Sequence, residues 1–344
     1  MQTLGALPFF KLGPWTPIPG ADWLEFHSFG MFVAIGLLVC LAMAARRGER
    51  KLGLNGERVQ NYGLWLIFIG WVFAHILNVL FYEPGSILEN PLVLLKVWGS
   101  ISSYGGLIGG IIGYWIWKRY NPDEDHEMWL DHSVWTLTFA WFFGRLGCAS
   151  VHDHLGVRAP SWWPLGYENI PYGSGETHIP WEMLGIEIYF DKVDPETGAF
   201  ISHSFSPEGL VRHDLGLYEA MWWGLIVLTV LWLNRKPRRK GLYIAIVPLM
   251  YAPCRFLLDF LRAWPIPESG QTYDVPAHTQ FFLDLMGAQA EPFIANNQAL
   301  FADTRYWGLT PAQYLSVVLF VFGLYYLWRI RDREPMEWKQ YKRD

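Results

Sequence analysis

Seven stretches of this 344-residue chain are long and apolar enough to cross a bilayer, which removes most folds from consideration. A helix needs roughly 20 mostly apolar residues to traverse the hydrocarbon core. The segments at about 25–45, 62–82, 99–117, 129–149, 215–234, 241–262 and 307–328 meet that length. Spanning elements must be helices, because lipid leaves the edge of an open sheet without hydrogen-bond partners. The expected fold is therefore an all-α polytopic membrane protein: seven transmembrane helices in a single membrane domain covering 1–344. An odd number of spans puts the two termini on opposite sides.

The positions of the charges give the orientation. Eighteen of the 27 basic residues flank one set of span ends: Arg46 to Arg58, Lys118 and Arg119, Arg235 to Lys240, and the tail beyond Arg329. Only six fall on the other side: Lys11, Lys96, Arg158, Lys192, Arg212 and Arg305. By the positive-inside rule the N-terminus is outside and the C-terminus cytoplasmic. The stretches 150–214 and 263–306 then become external insertions. Rich in Pro, Gly, Trp and acidic residues, they are expected to form a small cap with short strands, Ile201 to Ser206 being one candidate. The mean hydropathy of only +0.13 fits such polar connections between apolar spans. No basic face exists for a nucleic acid to bind, and the N-terminal 20 residues lack the basic region and cleavage site of a removable signal peptide. Cys40, Cys148 and Cys254 lie in apolar runs without zinc or disulfide spacing, and read as small buried hydrophobes.

Three arginines remain, Arg145, Arg255 and Arg262, all within or at the ends of spans. Arginine at the bilayer centre costs about 2.5–3.5 kcal/mol on insertion scales, so each is expected to face a partner or a wet cavity. Arg145 stands in the apolar run before Gly147, where a carboxylate or a phosphate would serve equally as partner. The adjoining His152-Asp153-His154 fits three roles: a metal fragment, an acid–base or headgroup contact, or interfacial hydrogen bonding. Tyr218 and Glu219 open the fifth span, and Glu219 could neutralise one of the arginines. Arg255, Asp259 and Arg262 fall at i, i+4 and i+7, on one helix face. Asp259 alone between two cations leaves surplus positive charge. The third span begins Ser103-Tyr104-Gly105-Gly106 and continues to Gly109, Gly110 and Gly113. Small residues four apart allow close helix packing, and the Gly105–Gly106 pair would also let a ligand approach the backbone. Together these segments predict a wet, cationic cavity suited to an anionic amphiphile such as a phospholipid.

The four segments, in this order, resemble the prolipoprotein diacylglyceryl transferases. The resemblance rests on Tyr104-Gly105-Gly106-Leu107-Ile108-Gly109, Gly144-Arg145-Leu146-Gly147, Leu217-Tyr218-Glu219 and Tyr251 to Arg262. The Phe29-Gly30-Met31 and Gly308 to Gln313 lead-ins also match, so it covers essentially the whole chain. It implies a bacterial inner-membrane enzyme with its site toward the periplasm. Such an enzyme moves diacylglyceryl from phosphatidylglycerol to the lipobox cysteine behind a prolipoprotein signal peptide, drawing its donor from membrane lipid. No metal or cofactor is implied. Arg145 and Arg255 match the family's functional arginines and Glu219 its glutamate, while Asp153 stands where a Glu is usual. Gly105, Gly106, Asp153, Tyr218, Glu219 and Arg262 are expected to bind substrate.

The departures from the pattern are specific. Tyr104 replaces the family's histidine, Phe29 a tyrosine, Cys148 an asparagine and His75 an arginine. Tyrosine, with a pKa near 10, is a poor base toward a thiol at neutral pH. The base is then expected to be His152 or His154, with Asp153 orienting it, or else His75 or His27. Two rivals follow: an inactive lipid-binding scaffold of the same fold, and a lipid transporter. A transporter would be expected to show internal repeats and broken helices, and the sequence shows no convincing ones.

Overall fold

The computed structural model describes residues 7–8, 10–12, 26–82, 86–87, 90–97, 101–152, 155–159, 163–168, 179–181, 186–188, 211–262 and 309–341. These residues are predominantly helical. Helices α1 (Ser28–Lys51), α2 (Gly56–Tyr82), α3 (Ser103–Tyr120) and α4 (His126–Val151) fall on the first four predicted spans. Helices α5 (Leu215–Leu233), α6 (Leu242–Leu258) and α7 (Pro311–Arg329) fall on the last three. Among the described residues, four helical stretches are by length and composition apolar enough to cross a membrane: Ser28–Lys51, Gly56–Leu80, Leu215–Leu233 and Leu242–Leu261.

Short strands occur in the first insertion, as its composition predicts, although Ile201 to Ser206 lie outside the described residues. β1 (Leu7–Pro8), β4 (Gly166–Glu168), β7 (Val211–Asp214) and β3 (Leu155–Arg158) form one sheet in that spatial order. β2 (Phe10–Leu12), β6 (Ile186–Ile188) and β5 (Ile179–Trp181) form a second. In the first, β3 pairs antiparallel with β7 so that Leu155 faces Asp214, the last strand residue before α5.

The chain divides into two compact units. The first holds residues 1–36, 140–229 and 248–325; the second holds 37–139, 230–247 and 326–344. Within the second unit, α2 and α3 pack through the glycines of the third span. A methyl group added at Gly105 would come within 2.6 Å of the Phe73 carbonyl, and one at Gly109 within 2.6 Å of Phe73 Cβ. Gly105 is thus required for close helix approach. A Cβ at Gly106 would meet its nearest neighbour at only 3.8 Å, and at Gly110 none within 4 Å. Below this seam Val59, Tyr62 and Trp129 are buried against Trp117.

His75 is also buried here, its Nε2 at 2.9 Å from the Val93 carbonyl of the 3₁₀ turn Pro91–Leu95. His27 precedes α1 and is exposed.

Replacing Gly109 by Ala should destabilise the protein by about 1–3 kcal/mol, the usual cost of overpacking. The same change at Gly110 should leave the thermal unfolding midpoint in detergent unchanged.

Candidate functional site

The first unit gathers the ends of five helices. Gly147 lets α4 press on the start of α1, since a Cβ there would sit 3.2 Å from the Phe29 carbonyl. Ser28 and Ser150 close the same contact through their hydroxyls at 2.8 Å. Gly216 does likewise for α5 against α4, where a Cβ would meet the Ala149 amide at 3.0 Å. These close approaches bring polar side chains from α4, α5 and α6 together in an otherwise apolar interior.

Glu219, one turn into α5 and 1% exposed, lies between two arginines. Its Oε2 is 2.8 Å from Arg145 Nε, and its Oε1 accepts from Arg255 Nη1. Arg255 Nη2 also approaches Asp259 Oδ1 at 2.9 Å. Neither Glu219 Oε2 nor Asp259 Oδ1 receives a well-directed N–H, so both contacts are ion pairs by proximity. Arg145 Nη1 also lies 3.8 Å from Cys148 Sγ.

The predicted helix face at Arg255, Asp259 and Arg262 is altered in form. α6 ends at Leu258, Asp259–Leu261 is a 3₁₀ turn, and Arg262 is extended. Asp259 still serves both cations, with Arg262 Nη1 at 3.7 Å and that side chain 35% exposed. Three arginines against two carboxylates leave one unit of positive charge, the surplus the sequence predicts. Asp259 Oδ2 accepts from the Thr310 hydroxyl at the start of α7. Thr310 and Gln313 form a capping box around Pro311: Gln313 N donates to Thr310 Oγ1 at 3.2 Å, and Thr310 N to Gln313 Oε1 at 2.9 Å. That reciprocal cap gives a physical reason for the Thr-Pro-Ala-Gln lead-in.

His152 is the residue immediately after α4 and takes a left-handed conformation with φ 53°, uncommon for a non-glycine. It is buried, and its Nδ1 lies 2.5 Å from Asp214 Oδ2. Asp214 Oδ2, a carboxylate oxygen, accepts from Nδ1 and so fixes the orientation of the ring. Asp214 has a second duty, since its Oδ1 accepts from the Leu217 amide at 3.0 Å and caps α5.

Sequence reasoning assigned the orienting role to Asp153. In the described residues Asp214 fills it, 62 positions away, brought there by the β3–β7 register. Asp153 and His154 lie outside the described residues. The available signal for Asp214 was its place directly before the fifth span, a helix N-cap position.

Tyr218 is held by the insertion. Trp163 Nε1 donates to its hydroxyl at 2.7 Å, His213 Nδ1 is 2.7 Å from it, and the hydroxyl donates to the Leu165 carbonyl at 3.3 Å. Its placement therefore ties residues 163–165 to α5. Tyr104, Gly105 and Gly106, at the start of α3, belong to the second unit.

Helices of bilayer length, with buried charges that neutralise one another in their interior, define a membrane protein that keeps ionisable groups in its helical core. The family model described as prolipoprotein diacylglyceryl transferase matches residues 21–329, and the chain belongs to that family of transferases. It is 26% identical over 334 residues to the phosphatidylglycerol–prolipoprotein diacylglyceryl transferase of Xylella fastidiosa (strain 9a5c), covering 95% of this chain and 93% of the relative. The protein of the same name from Stenotrophomonas maltophilia (strain R551-3) is 27% identical over 252 residues, 72% of this chain and 79% of its own. That from Acinetobacter baumannii (strain AYE) is 24% identical over 322 residues, 92% of each.

Glu219→Ala would leave two buried guanidiniums without their shared counter-ion. The expected loss is about 3–5 kcal/mol, as for breaking a buried ion pair from one side. Thermal unfolding of the purified protein checks it, with Glu219→Gln expected to lose less.

Proposed function

We propose that the chain transfers the diacylglyceryl group of phosphatidylglycerol to the lipobox cysteine of a prolipoprotein. The supporting observation is the Arg145–Glu219–Arg255 bridge, two cations preorganised on one carboxylate. In this reaction the cysteine sulfur attacks the diacylglyceryl carbon that bears the phosphate oxygen. A C–S bond forms, the C–O bond breaks, and glycerol phosphate leaves with the electron pair. The thiol proton passes to a base, because the thiolate is the effective nucleophile. The leaving phosphate gains negative charge as the bond breaks. Donors already aimed at that charge stabilise it without reorganising.

Arg145 and Arg255 take the phosphoglycerol group, Arg262 adds the surplus charge at the rim, and Glu219 holds the first two in position. His152, oriented by Asp214, is the base in place of the family histidine at position 104. Tyr104, Gly105 and Gly106 are retained as the family's third-span motif, with Tyr104 where the family has its histidine. His154 is the alternative base, and Asp153 a further substrate contact. The chain crosses the bacterial inner membrane seven times as one membrane domain, N-terminus out. Residues 150–214 and 263–306 form periplasmic insertions, and the site opens toward the periplasm. The charge asymmetry along the sequence supports that orientation.

The test uses purified protein, labelled phosphatidylglycerol and a lipobox peptide, with thioether product as the readout. Arg145→Ala and Arg255→Ala are each expected to lower turnover by roughly 10²–10³, the range for removing a donor to developing negative charge. His152→Ala should lower it by about 10²–10⁴, as for a lost general base. Full activity in His152→Ala would remove that histidine from the mechanism. An inactive wild-type protein that still retains the lipid would favour the scaffold motivated by Tyr104.

A further inference from the structure

The transferase reading leaves a buried cation in the second unit unused. Arg47, one turn before the end of α1, is 6% exposed. Neutral groups hold it. Its Nη1 donates to His132 Nδ1 at 2.8 Å and its Nε to Asn234 Oδ1 at 3.2 Å. The guanidinium carbon lies 5.0 Å from the ring centroids of both Trp135 and Tyr243. His132 can accept at Nδ1 because its Nε2 is 3.1 Å from the Ala44 carbonyl, to which it donates. Asp131 attracts Arg47 at longer range, but its Oδ1 accepts from the Tyr243 and Ile244 amides at 2.7 and 3.1 Å. Among the described residues no carboxylate is in ion-pair contact with Arg47.

Arg47 lines a half-open cleft with Lys51, Lys236, Arg238, Arg239 and Asp131, five cations against one carboxylate. The enclosed space is only about 10 Å³, room for a single water, so an anion would sit at the mouth, against Lys236 and Arg239. The C-terminal strap closes one side: Met336 N donates to the Arg238 carbonyl at 2.9 Å and Lys339 N to the Lys51 carbonyl at 3.0 Å. Lys51 Nζ lies 4.1 Å from the Trp338 ring centroid. Membrane topology accounts for basic residues that face water at span ends. It does not account for a guanidinium buried between two aromatic rings.

We propose that this cleft binds a phosphoryl anion, and that its occupant is the headgroup of an anionic phospholipid. Planar guanidiniums suit phosphate oxygens, and basic pockets among span ends on the cytoplasmic side recognise anionic headgroups. Trp338 and Trp232, 40% and 59% exposed, supply the amphipathic rings found at the headgroup level, which favours a lipid over free phosphate. The site shares no residue with the Arg145–Glu219–Arg255 cluster. It rests on the proposed orientation only for the leaflet, which is the cytoplasmic one.

The test uses the full chain carrying Arg145→Ala, in neutral detergent, so that donor-site binding is weakened. Calorimetric titrations with dihexanoyl phosphatidic acid, dihexanoyl phosphatidylcholine and inorganic phosphate are compared. Phosphatidic acid should bind at about one equivalent, and Lys236→Gln/Arg239→Gln should weaken it about tenfold or more, since each cation near an anionic lipid contributes severalfold. Both side chains are exposed, so an unchanged melting temperature verifies folding. Inorganic phosphate binding as tightly as the lipid would keep the phosphoryl site and overturn the lipid as its occupant. No saturable binding, equal binding of phosphatidylcholine, or indifference to the double variant would overturn the site itself. In an otherwise wild-type chain the double variant should transfer diacylglyceryl normally, and a parallel loss would overturn the independence of the two sites.

Discussion

Glu219 offers one carboxylate oxygen to Arg145 and the other to Arg255, and the charged interior of the first unit is organised around that sharing. An unpaired ion costs several kcal/mol once removed from water, and more when neighbouring ions repel it. One carboxylate cannot neutralise two guanidiniums, so Asp259 joins from the end of α6 and takes Arg255 and Arg262. The helix positions follow from this: Glu219 must be one turn into α5, Arg145 near the end of α4, and Arg255 near the end of α6. Gly147 and Gly216 allow the close approaches that such short contacts need. The small-residue positions and the charged positions therefore answer the same constraint.

The net charge left over has a chemical consequence. A fully neutralised cluster would offer an incoming phosphate little, and an uncompensated pair of arginines would be hard to fold. Partial neutralisation by a shared carboxylate avoids both. His152 complements this arrangement through geometry instead of charge. Its left-handed backbone and its bond to Asp214 fix the ring, and the same aspartate secures the start of the helix that carries Glu219. A disturbance at Asp214 would thus reach both His152 and Glu219.

Seven helical segments were legible in the sequence because the hydrophobic requirement of a bilayer is length-based and local. The arginines and Glu219 were legible for the complementary reason, since charge inside an apolar run is conspicuous. Asp214 as the partner of His152 was not legible. Its partner lies 62 residues earlier, and only the β3–β7 register makes them neighbours. Asp153 looked better because it adjoins His152, and adjacency in sequence says little where a helix ends and a strand begins. Gly105 was read as a point where a ligand could approach the backbone, yet Phe73 and Ala74 of α2 stand against it. Glycine spacing revealed the seam but not which members of it were crowded. The Thr310–Gln313 capping box follows a known local rule and could have been read directly.

Arg47 shows how differently a buried guanidinium can be accommodated within one chain. In the first unit the solution is ionic, with carboxylates at contact distance. In the second, neutral His132, Asn234 and two aromatic rings hold the cation, and Asp131 attracts it only at longer range. Neutral acceptors and ring faces satisfy the hydrogen-bonding and packing needs of a guanidinium while leaving its field intact. Such a field persists into whatever cleft the residue borders, where Lys236 and Arg239 add to it. A positive charge held without a contacting carboxylate inside a membrane protein favours an anion that arrives separately, and in a bilayer the most abundant such anion is the lipid phosphate itself.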